Sequence, residues 1–345
     1  MSRDLIERLI AGRDLSQSEA AGLLRSLAAG EVEPAVAGAL LTALRIKGEV
    51  AAEIRGFALA MRELSRRPAL PPDGDYVDIV GTGGDGSGSL NLSTGSALLA
   101  AAAGLKVAKH GNRSISSRSG SADVLAAIGL PMPLDEEAAA RCFEATGFTF
   151  LFAPHYHPAM KHIAPVRQAL GIRTVFNVLG PLVNPAEPPF HVIGAASEGL
   201  AKLMAETLAE MPIERAFVIH GAAGWDEATP IGAFVLFDVA RGRIERQVRD
   251  PEGVGIAPCD EADLKGGEAA ENAARLKAAL EGRDSAAHRD ALVIGAALAL
   301  EVTGTEPDFA SAVGRARAAL DDGSAAAFLD RLAAFIAAEN RAGGG

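Results

Sequence analysis

The chain has 345 residues, 49% hydrophobic and 22% charged, which is the composition of a soluble globular protein with material for about two domains. A formal net charge of −11 argues against a nucleic-acid partner, whose phosphates need a basic face. The two cysteines, Cys142 and Cys259, are too isolated for a disulfide framework or zinc knuckle, the start MSRDLIERLI is unlike a signal peptide, and no apolar run would span a membrane, so a cytoplasmic location is expected.

Residues 3–66 read as helices only. Ser16 and Glu19 form a capping-box pattern before Ala20–Ala29, which stops at Gly30. Pro34 sits as a first-turn proline of a helix ending near Lys47-Gly48, and a further helix is predicted from about Val50 to Arg66. Pro68, Pro71, Pro72 and Gly74 make a linker. Tyr76–Val80 is a β-branched run that predicts a buried strand. A glycine-rich loop follows from Gly81 to Gly88, then an Ala/Leu-rich helix that cannot comfortably begin before Ser93 and stops at Gly104. A second strand is expected at Val107–Lys109. Beyond Asp123 the pattern alternates. Helices end at Gly129 and Gly147, Phe148–Ala153 is a strand, and a helix over Pro158–Leu170 is interrupted at Pro165. Strands at Phe190–Ala196 and Ala216–Ile219 flank a helix over about 198–210, and Val235–Val239 with Ile244–Val248 form a hairpin. From Glu268 to Ala338 helices return, broken near Gly282, Gly304 and Gly323. The fold class is therefore α/β, a small helical domain over 1–68 followed by a larger α/β domain over 75–345.

A glycine loop between strand and helix exposes backbone N–H groups and admits phosphate oxygens. Close behind it come Lys109, His110, Asn112, Arg113, Ser114, Ser116, Ser117 and Arg118, so two phosphate-seeking segments point to a polyphosphate ligand. Gly81, Gly83 and Gly86 formally satisfy the dinucleotide fingerprint, but no helix opens within it and no acid lies between Asp85 and Asp123. No Gly-Lys-Ser/Thr triplet exists for a P-loop. Two devices would let so acidic a chain hold a polyphosphate: the cations Lys106, Lys109, His110, Arg113 and Arg118, and bound Mg²⁺. Adjacent carboxylates Asp226-Glu227, just past a strand's end, suit Mg²⁺ with phosphate oxygens and water. His155, His157 and His162 do not share a helix face and are read as polar lining, not as metal ligands.

GTGGD, NLST, KHGNR and GSAD, in this order and spacing, resemble the signatures of the anthranilate phosphoribosyltransferase family. VRQALG with FNVLGPLVNP is similar to that family's acceptor-binding signature. The resemblance implies the nucleoside phosphorylase–phosphoribosyltransferase fold, with a mostly parallel central sheet surrounded by helices. It implies transfer of phosphoribose from phosphoribosyl pyrophosphate to the anthranilate amine, in tryptophan biosynthesis. Residue by residue it implies that Gly81, Gly84, Asp85, Ser89, Asn91, Leu92, Ser93, Thr94, Lys109, His110, Gly111, Asn112, Arg113, Ser114, Ile115, Ser116, Ser117 and Ser121 bind phosphoribosyl pyrophosphate. Gly81, Asn112 and Arg167 would hold anthranilate, the arginine as a planar fork on its carboxylate. Ser93, Asp226 and Glu227 would hold two Mg²⁺ ions. No general acid or base is implied; His110 is expected to steer the acceptor. A homodimer is implied through the helical domain, joined in space by part of 165–189. The chain departs from the pattern at Ala223, Trp225, Ala228-Thr229-Pro230 and Gly295, which leaves the range of aromatic acceptors open. A pyrimidine nucleoside phosphorylase would share the fold, but Asp226-Glu227 and the intact KHGNR oppose it. Acidity and the retained carboxylates oppose a non-enzymatic, nucleic-acid-binding paralogue.

Overall fold

The computed structural model describes residues 2–71, 74–114 and 118–342. The chain opens with helices α1 (Ser2–Ile10), α2 (Gln17–Ala29), α3 (Pro34–Lys47) and α4 (Ala51–Glu63). The capping box forms as expected: the Glu19 N–H donates to Ser16 Oγ at 3.3 Å, and the Ser16 N–H donates to the Glu19 carboxylate at 2.9 Å. Gly30, with φ of 73°, ends α2 in the left-handed conformation that glycine adopts without penalty. Leu23, Leu24, Leu27, Leu40, Leu41, Leu44, Ile54 and Phe57 fill the space between the helices. One buried carboxylate ties the bundle together. Glu53 accepts the Leu15 N–H at 2.8 Å, the Val50 N–H at 3.0 Å and the Lys47 ammonium at 3.0 Å.

The larger part alternates strand and helix: β1 (Val77–Gly81), α5 (Leu92–Ala102), β2 (Val107–Gly111), α6 (Ser121–Ile128), α7 (Glu136–Thr146) and β3 (Phe148–Phe152). Next come α8 (Ala153–Tyr156), α9 (Met160–Leu170), α10 (Phe176–Leu179), β4 (Phe190–Gly194), α11 (Glu198–Leu208), β5 (Arg215–His220), β6 (Phe234–Ala240) and β7 (Arg243–Arg249). Four helices end the chain: α12 (Ala269–Leu280), α13 (Ala286–Val302), α14 (Phe309–Asp321) and α15 (Ser324–Ala342). The strand order is β3-β2-β1-β4-β5-β6-β7, parallel through β5 and antiparallel for the final hairpin. The chain leaves β1 toward β2 and β3, then returns to the other side of β1 as β4. The carboxyl ends of β1 and β4 therefore flank a topological switch point, where open α/β sheets bind ligands. In register, Gly81 lies opposite Gly194, which lies opposite Ile219.

Two apolar layers cover the sheet. Leu92, Leu98 and Leu99 of α5 pack with Leu292, Leu298 and Leu300 of α13 on one face. On the other, Ile193 and Val218 continue into the helical bundle through Met204, Phe176 and Phe57. The segment carrying α9 and α10 contributes Ile163, Val175, Phe176 and Leu179 to the bundle's own core. Two local expectations needed correction. Helix α5 begins at Leu92, one residue earlier than expected, with Asn91 as its cap. Helix α9 runs through Pro165 without interruption, because the carbonyl that loses its donor belongs to Lys161, which is exposed to water. Among the described residues no helix is long and apolar enough to cross a membrane.

Glu53 offers a direct test of the bundle. Glu53→Ala leaves the Leu15 and Val50 amides without their acceptor and takes one of two carboxylates from the Lys47 ammonium, which keeps Asp14 at 2.7 Å, and should cost about 3 kcal/mol. Denaturant unfolding would read this as a lower midpoint with an unchanged slope.

Candidate active site

Strands β1 and β4 end in glycine, and β5 is followed by Gly221. These glycines admit another piece of backbone. A Cβ on Gly194 would overlap the Asp226 carbonyl oxygen, one on Gly221 the Glu227 carbonyl, and one on Gly81 the Asp226 carboxylate. The Asp226-Glu227 dipeptide thus lies directly across the ends of three adjacent strands. Its turn is closed by the Gly221 N–H donating to the Trp225 carbonyl at 2.9 Å.

From that position the two carboxylates grip the glycine loop and the start of α5. The Gly83 N–H donates to Asp226 Oδ2 at 2.6 Å, and the Ser93 N–H to Glu227 Oε1 at 2.9 Å. Glu227 therefore occupies an amide at the start of α5 that was expected to face phosphate, so a phosphate group must share or displace it. Ser89 Oγ donates to Glu227 Oε2 at 3.5 Å, and Asp85 Oδ2 accepts the Asp226 N–H at 3.3 Å. Gly83, Gly84, Gly86 and Gly88 have φ of 67°, 76°, 75° and 60°. That left-handed run turns amides outward, a concavity suited to anions. Above Gly84 stands Arg173, whose Nη2 donates to the Gly84 carbonyl at 2.8 Å.

The floor is charged and buried. Lys109 is buried, with its ammonium on the Ile79 carbonyl and 3.5 Å from Ser93 Oγ; burial pulls its pKa down, opposed by Asp78, Glu227 and Asp226. Asp78, fully buried, accepts the His110 N–H at 3.2 Å and Asn184 Nδ2 at 2.8 Å, yet burial still pushes it up to about 6. His110 holds Nδ1 3.1 Å from the Gly180 carbonyl and stacks edge-on against His157, 5.1 Å between centroids. Burial pushes His110 down to about 3, so it is neutral at physiological pH.

The second segment folds back on itself beside the first. Ser121 Oγ donates to the Asn112 carbonyl at 3.3 Å, and a Cβ on Gly111 would overlap that hydroxyl. The Ser114 N–H donates to Asp123 at 3.1 Å, and Arg113 pairs with the same acid at 3.6 Å. Asn91 bridges the two segments, donating to the Ser119 carbonyl at 3.0 Å and accepting from Asn272 at 2.8 Å. Thr94 is buried with its hydroxyl unpartnered among the described residues, whereas the Leu92 side chain lies in the core, leaving only its backbone for a ligand. Ile115, Ser116 and Ser117 lie outside the described residues. Arg118 is exposed.

Lys106 must be removed from the cations expected here. It precedes β2, at the opposite end of the sheet from the crevice, and lies over Phe143. Of the histidines, His157 is buried against His110, while His162 is exposed and packs on Gly30. Arg167 is half-buried on α9 with its guanidinium 5.4 Å over the Phe176 ring, and no carboxylate pairs with it among the described residues. Gly295 is explained by contact: a Cβ there would overlap Ser96 Oγ of α5. Ser93, Ser96, Gly295 and Glu227 line a cavity of about 30 Å³, room for a water molecule. The residues that sequence reasoning missed are Gly194, Gly221, Asp78, Asn184 and Arg173. An aspartate inside an apolar strand, and glycine at successive strand ends, were the available signals.

Burial, with the charge of Asp85 added, pushes the Asp226 carboxyl up to about 7; burial and Asp226 raise Glu227 well above its usual range. Among the described residues no three His, Cys, Asp or Glu side chains converge on one point, so any cation here needs further oxygens from serine, water or substrate. The sign of the pH effect follows. Between the unfolded value of about 4 and about 7, the folded chain holds a proton on Asp226 that the unfolded chain has released. This carboxyl therefore lowers stability progressively as pH rises through that window. In EDTA, Asp226→Asn should flatten the fall in melting temperature between those limits; wild-type and variant curves that stay parallel would count against the burial argument.

Residues 73–326 match the a/b domain of the glycosyl transferase family, and residues 3–65 match that family's helical bundle domain. The chain is 46% identical over 336 residues to the anthranilate phosphoribosyltransferase of Chloroflexus aggregans, covering 97% of each protein. Over 305 residues it is also 46% identical to that of Shewanella amazonensis, covering 88% of each. It superposes on the crystal structure of anthranilate phosphoribosyltransferase from Thermus thermophilus with a TM-score of 0.90 and 43% identity, over 96% of this chain and 99% of that one. For the Saccharomyces cerevisiae enzyme in complex with PRPP and Mg the TM-score is 0.88, at 26% identity and 98% coverage of both chains. The fold class and family expected from GTGGD, NLST, KHGNR and GSAD are those found, and the chain belongs to the anthranilate phosphoribosyltransferases.

Proposed function

We infer that this chain transfers the phosphoribosyl group of phosphoribosyl pyrophosphate to the amine of anthranilate, giving N-(5-phosphoribosyl)anthranilate and pyrophosphate, a step of tryptophan biosynthesis. The observation that carries the reading is the interlock of the glycine loop with Asp226-Glu227 at the β1/β4 switch point. The anthranilate nitrogen attacks ribose C1 while the C1–O bond to pyrophosphate breaks with inversion. The bonding pair leaves with the pyrophosphate, and the amine releases a proton. Such a reaction needs positioning and stabilisation of the leaving group more than a strong base. That requirement agrees with a neutral, buried His110, which offers the acceptor a hydrogen-bonding edge and no positive charge.

Mg²⁺ fits the donors present. Ser93, Asp226 and Glu227 offer hard oxygen atoms only, and burial, with a neighbouring carboxylate added, raises both carboxyls, a strain that a bound cation would relieve. We assign two ions to these residues; bound there, Mg²⁺ offsets the negative charge of the pyrophosphate. The donor substrate is assigned to Gly81, Gly84, Asp85, Ser89, Asn91 to Thr94, Lys109 to Ser114 and Ser121, supported by their gathering around the switch point, and to Ile115, Ser116 and Ser117 on the KHGNRSISS sequence alone. Anthranilate is assigned to Gly81, Asn112 and Arg167, whose guanidinium has no competing carboxylate among the described residues. We further propose that residues 1–68, joined by part of 165–189, form the dimer contact, and that 75–345 form the catalytic domain. Exposure of Ile10 (69%) and Ile46 (81%) on the bundle supports the first point. A cytoplasmic setting agrees with the reaction's soluble substrates.

Loss of anthranilate fluorescence, dependent on both phosphoribosyl pyrophosphate and Mg²⁺, is the direct test; no loss with all three present sinks the assignment. Replacing Asp226 by Asn and Glu227 by Gln together should abolish most turnover at limiting Mg²⁺. Arg167→Ala should raise the anthranilate KM about a hundredfold, the worth of a charge-assisted pair, with little change for the other substrate. Arg167→Lys should recover only part, since an ammonium lacks the planar fork. Aniline reacting as well as anthranilate in the wild type would show that the carboxylate is not read.

A further inference from the structure

The glycine loop is held from two sides by different parts of the fold. On one side its Gly83 amide sits on Asp226. On the other its Gly84 carbonyl takes the Arg173 guanidinium, packed so closely that a Cβ on Gly84 would overlap Nη2. Toward its far end the loop is held as well, by Lys265 Nζ and the Gly266 N–H donating to the Ser87 and Gly88 carbonyls at 2.6 and 3.0 Å, but a Cβ at Gly83, Gly86 or Gly88 would meet nothing within 4 Å. Arg173 is exposed, yet the residues that follow it are fixed. Thr174, Val175 and Phe176 are buried, and the Thr174 N–H donates to Asn177 Oδ1 at 3.0 Å. The same short arm carries Arg167, whose guanidinium lies over Phe176. One short segment, from the last turn of α9 through the exposed Gly171, Ile172 and Arg173 into α10, thus bears the arginine assigned to the acceptor and the arginine that straps the donor loop.

We propose that Arg173 is a positioning residue for the transfer: it couples the donor loop to the acceptor arm, so that each substrate strengthens the binding of the other. The proposal rests on the phosphoribosyltransferase reading above. Anthranilate held by Arg167 orders the arm; an ordered arm fixes Gly84 through Arg173; and a fixed loop presents its outward amides to the pyrophosphate. Linkage makes the effect reciprocal, because whatever the acceptor gives to donor binding, the donor returns. A hydrogen bond from any planar or cationic donor to the Gly84 carbonyl would serve, so the strap depends on reach more than on charge.

The test is the matrix of KM values for wild type, Arg173→Ala, Arg173→Gln and Arg173→Lys, each substrate varied at several levels of the other. Calorimetric titration of phosphoribosyl pyrophosphate and a circular-dichroism melt accompany each. In the wild type, saturating anthranilate should lower the KM for phosphoribosyl pyrophosphate by roughly fivefold or more. In Arg173→Ala the two KM values should become independent, that for phosphoribosyl pyrophosphate rising roughly tenfold, with an unchanged melt. Gln and Lys should each restore part of the interdependence. The proposal is overturned if the wild type shows no interdependence, if Arg173→Ala keeps it, or if Gln and Lys restore none. A wild type that transfers no phosphoribose at all strikes instead at the function, whereas an active wild type with an indifferent Arg173→Ala strikes only at the strap.

Discussion

Two stretches of main chain cannot occupy one place, and at this site the fold resolves that conflict by omitting side chains. The Asp226 and Glu227 carbonyls lie where the Cβ atoms of Gly194 and Gly221 would be. The acid pair is consequently set by the sheet itself, not by a loop free to wander, and its carboxylates are delivered to fixed points above β1 and α5. Preorganisation of this kind is costly to build, since two carboxyls are desolvated together with the charge of Asp85. It leaves the site short of positive charge before any substrate arrives.

Beneath the pair, the charges are arranged so that the deficit persists. Lys109 could neutralise one carboxylate, but it is shared with Asp78 and turned toward the Ile79 carbonyl. Arg113 is engaged by Asp123. An anionic substrate reaching the acid pair of this chain of net charge −11 therefore meets amides and hydroxyls there, the Lys109 ammonium beneath being already committed.

The large elements were legible because their signals are local. Capping at Ser16, the stop at Gly30, and the breaks near Gly282, Gly304 and Gly323 are properties of a few adjacent residues. The glycine loop was legible for the same reason: left-handed backbone at Gly83, Gly84, Gly86 and Gly88 needs glycine whatever surrounds it. What escaped depends on pairing across the chain. Lys106 and Lys109 are equivalent in composition, and only the direction of β2 sends one to the crevice and the other to the far end. Gly194 and Gly221 look like ordinary strand-end glycines until a dipeptide from residue 226 onward is laid across them. Arg173 reads as a surface arginine until the sheet brings Gly84 beneath it. Pro165 misled because a proline's penalty depends on whether water reaches the carbonyl it leaves unpaired.

The antiparallel hairpin at the end of the sheet leaves β7 as a bare edge. Its seven residues carry Arg243, Glu245, Arg246 and Arg249, and two of those arginines are already engaged, Arg246 with Glu198 and Arg249 with Glu301. A second copy laid antiparallel along this edge would bring arginine-rich strands together and disturb those pairs. Exposed Ile244 and Val248 would otherwise invite such pairing. The edge is thus open in geometry but closed to propagation, so the sheet is disfavoured from growing from one molecule into the next.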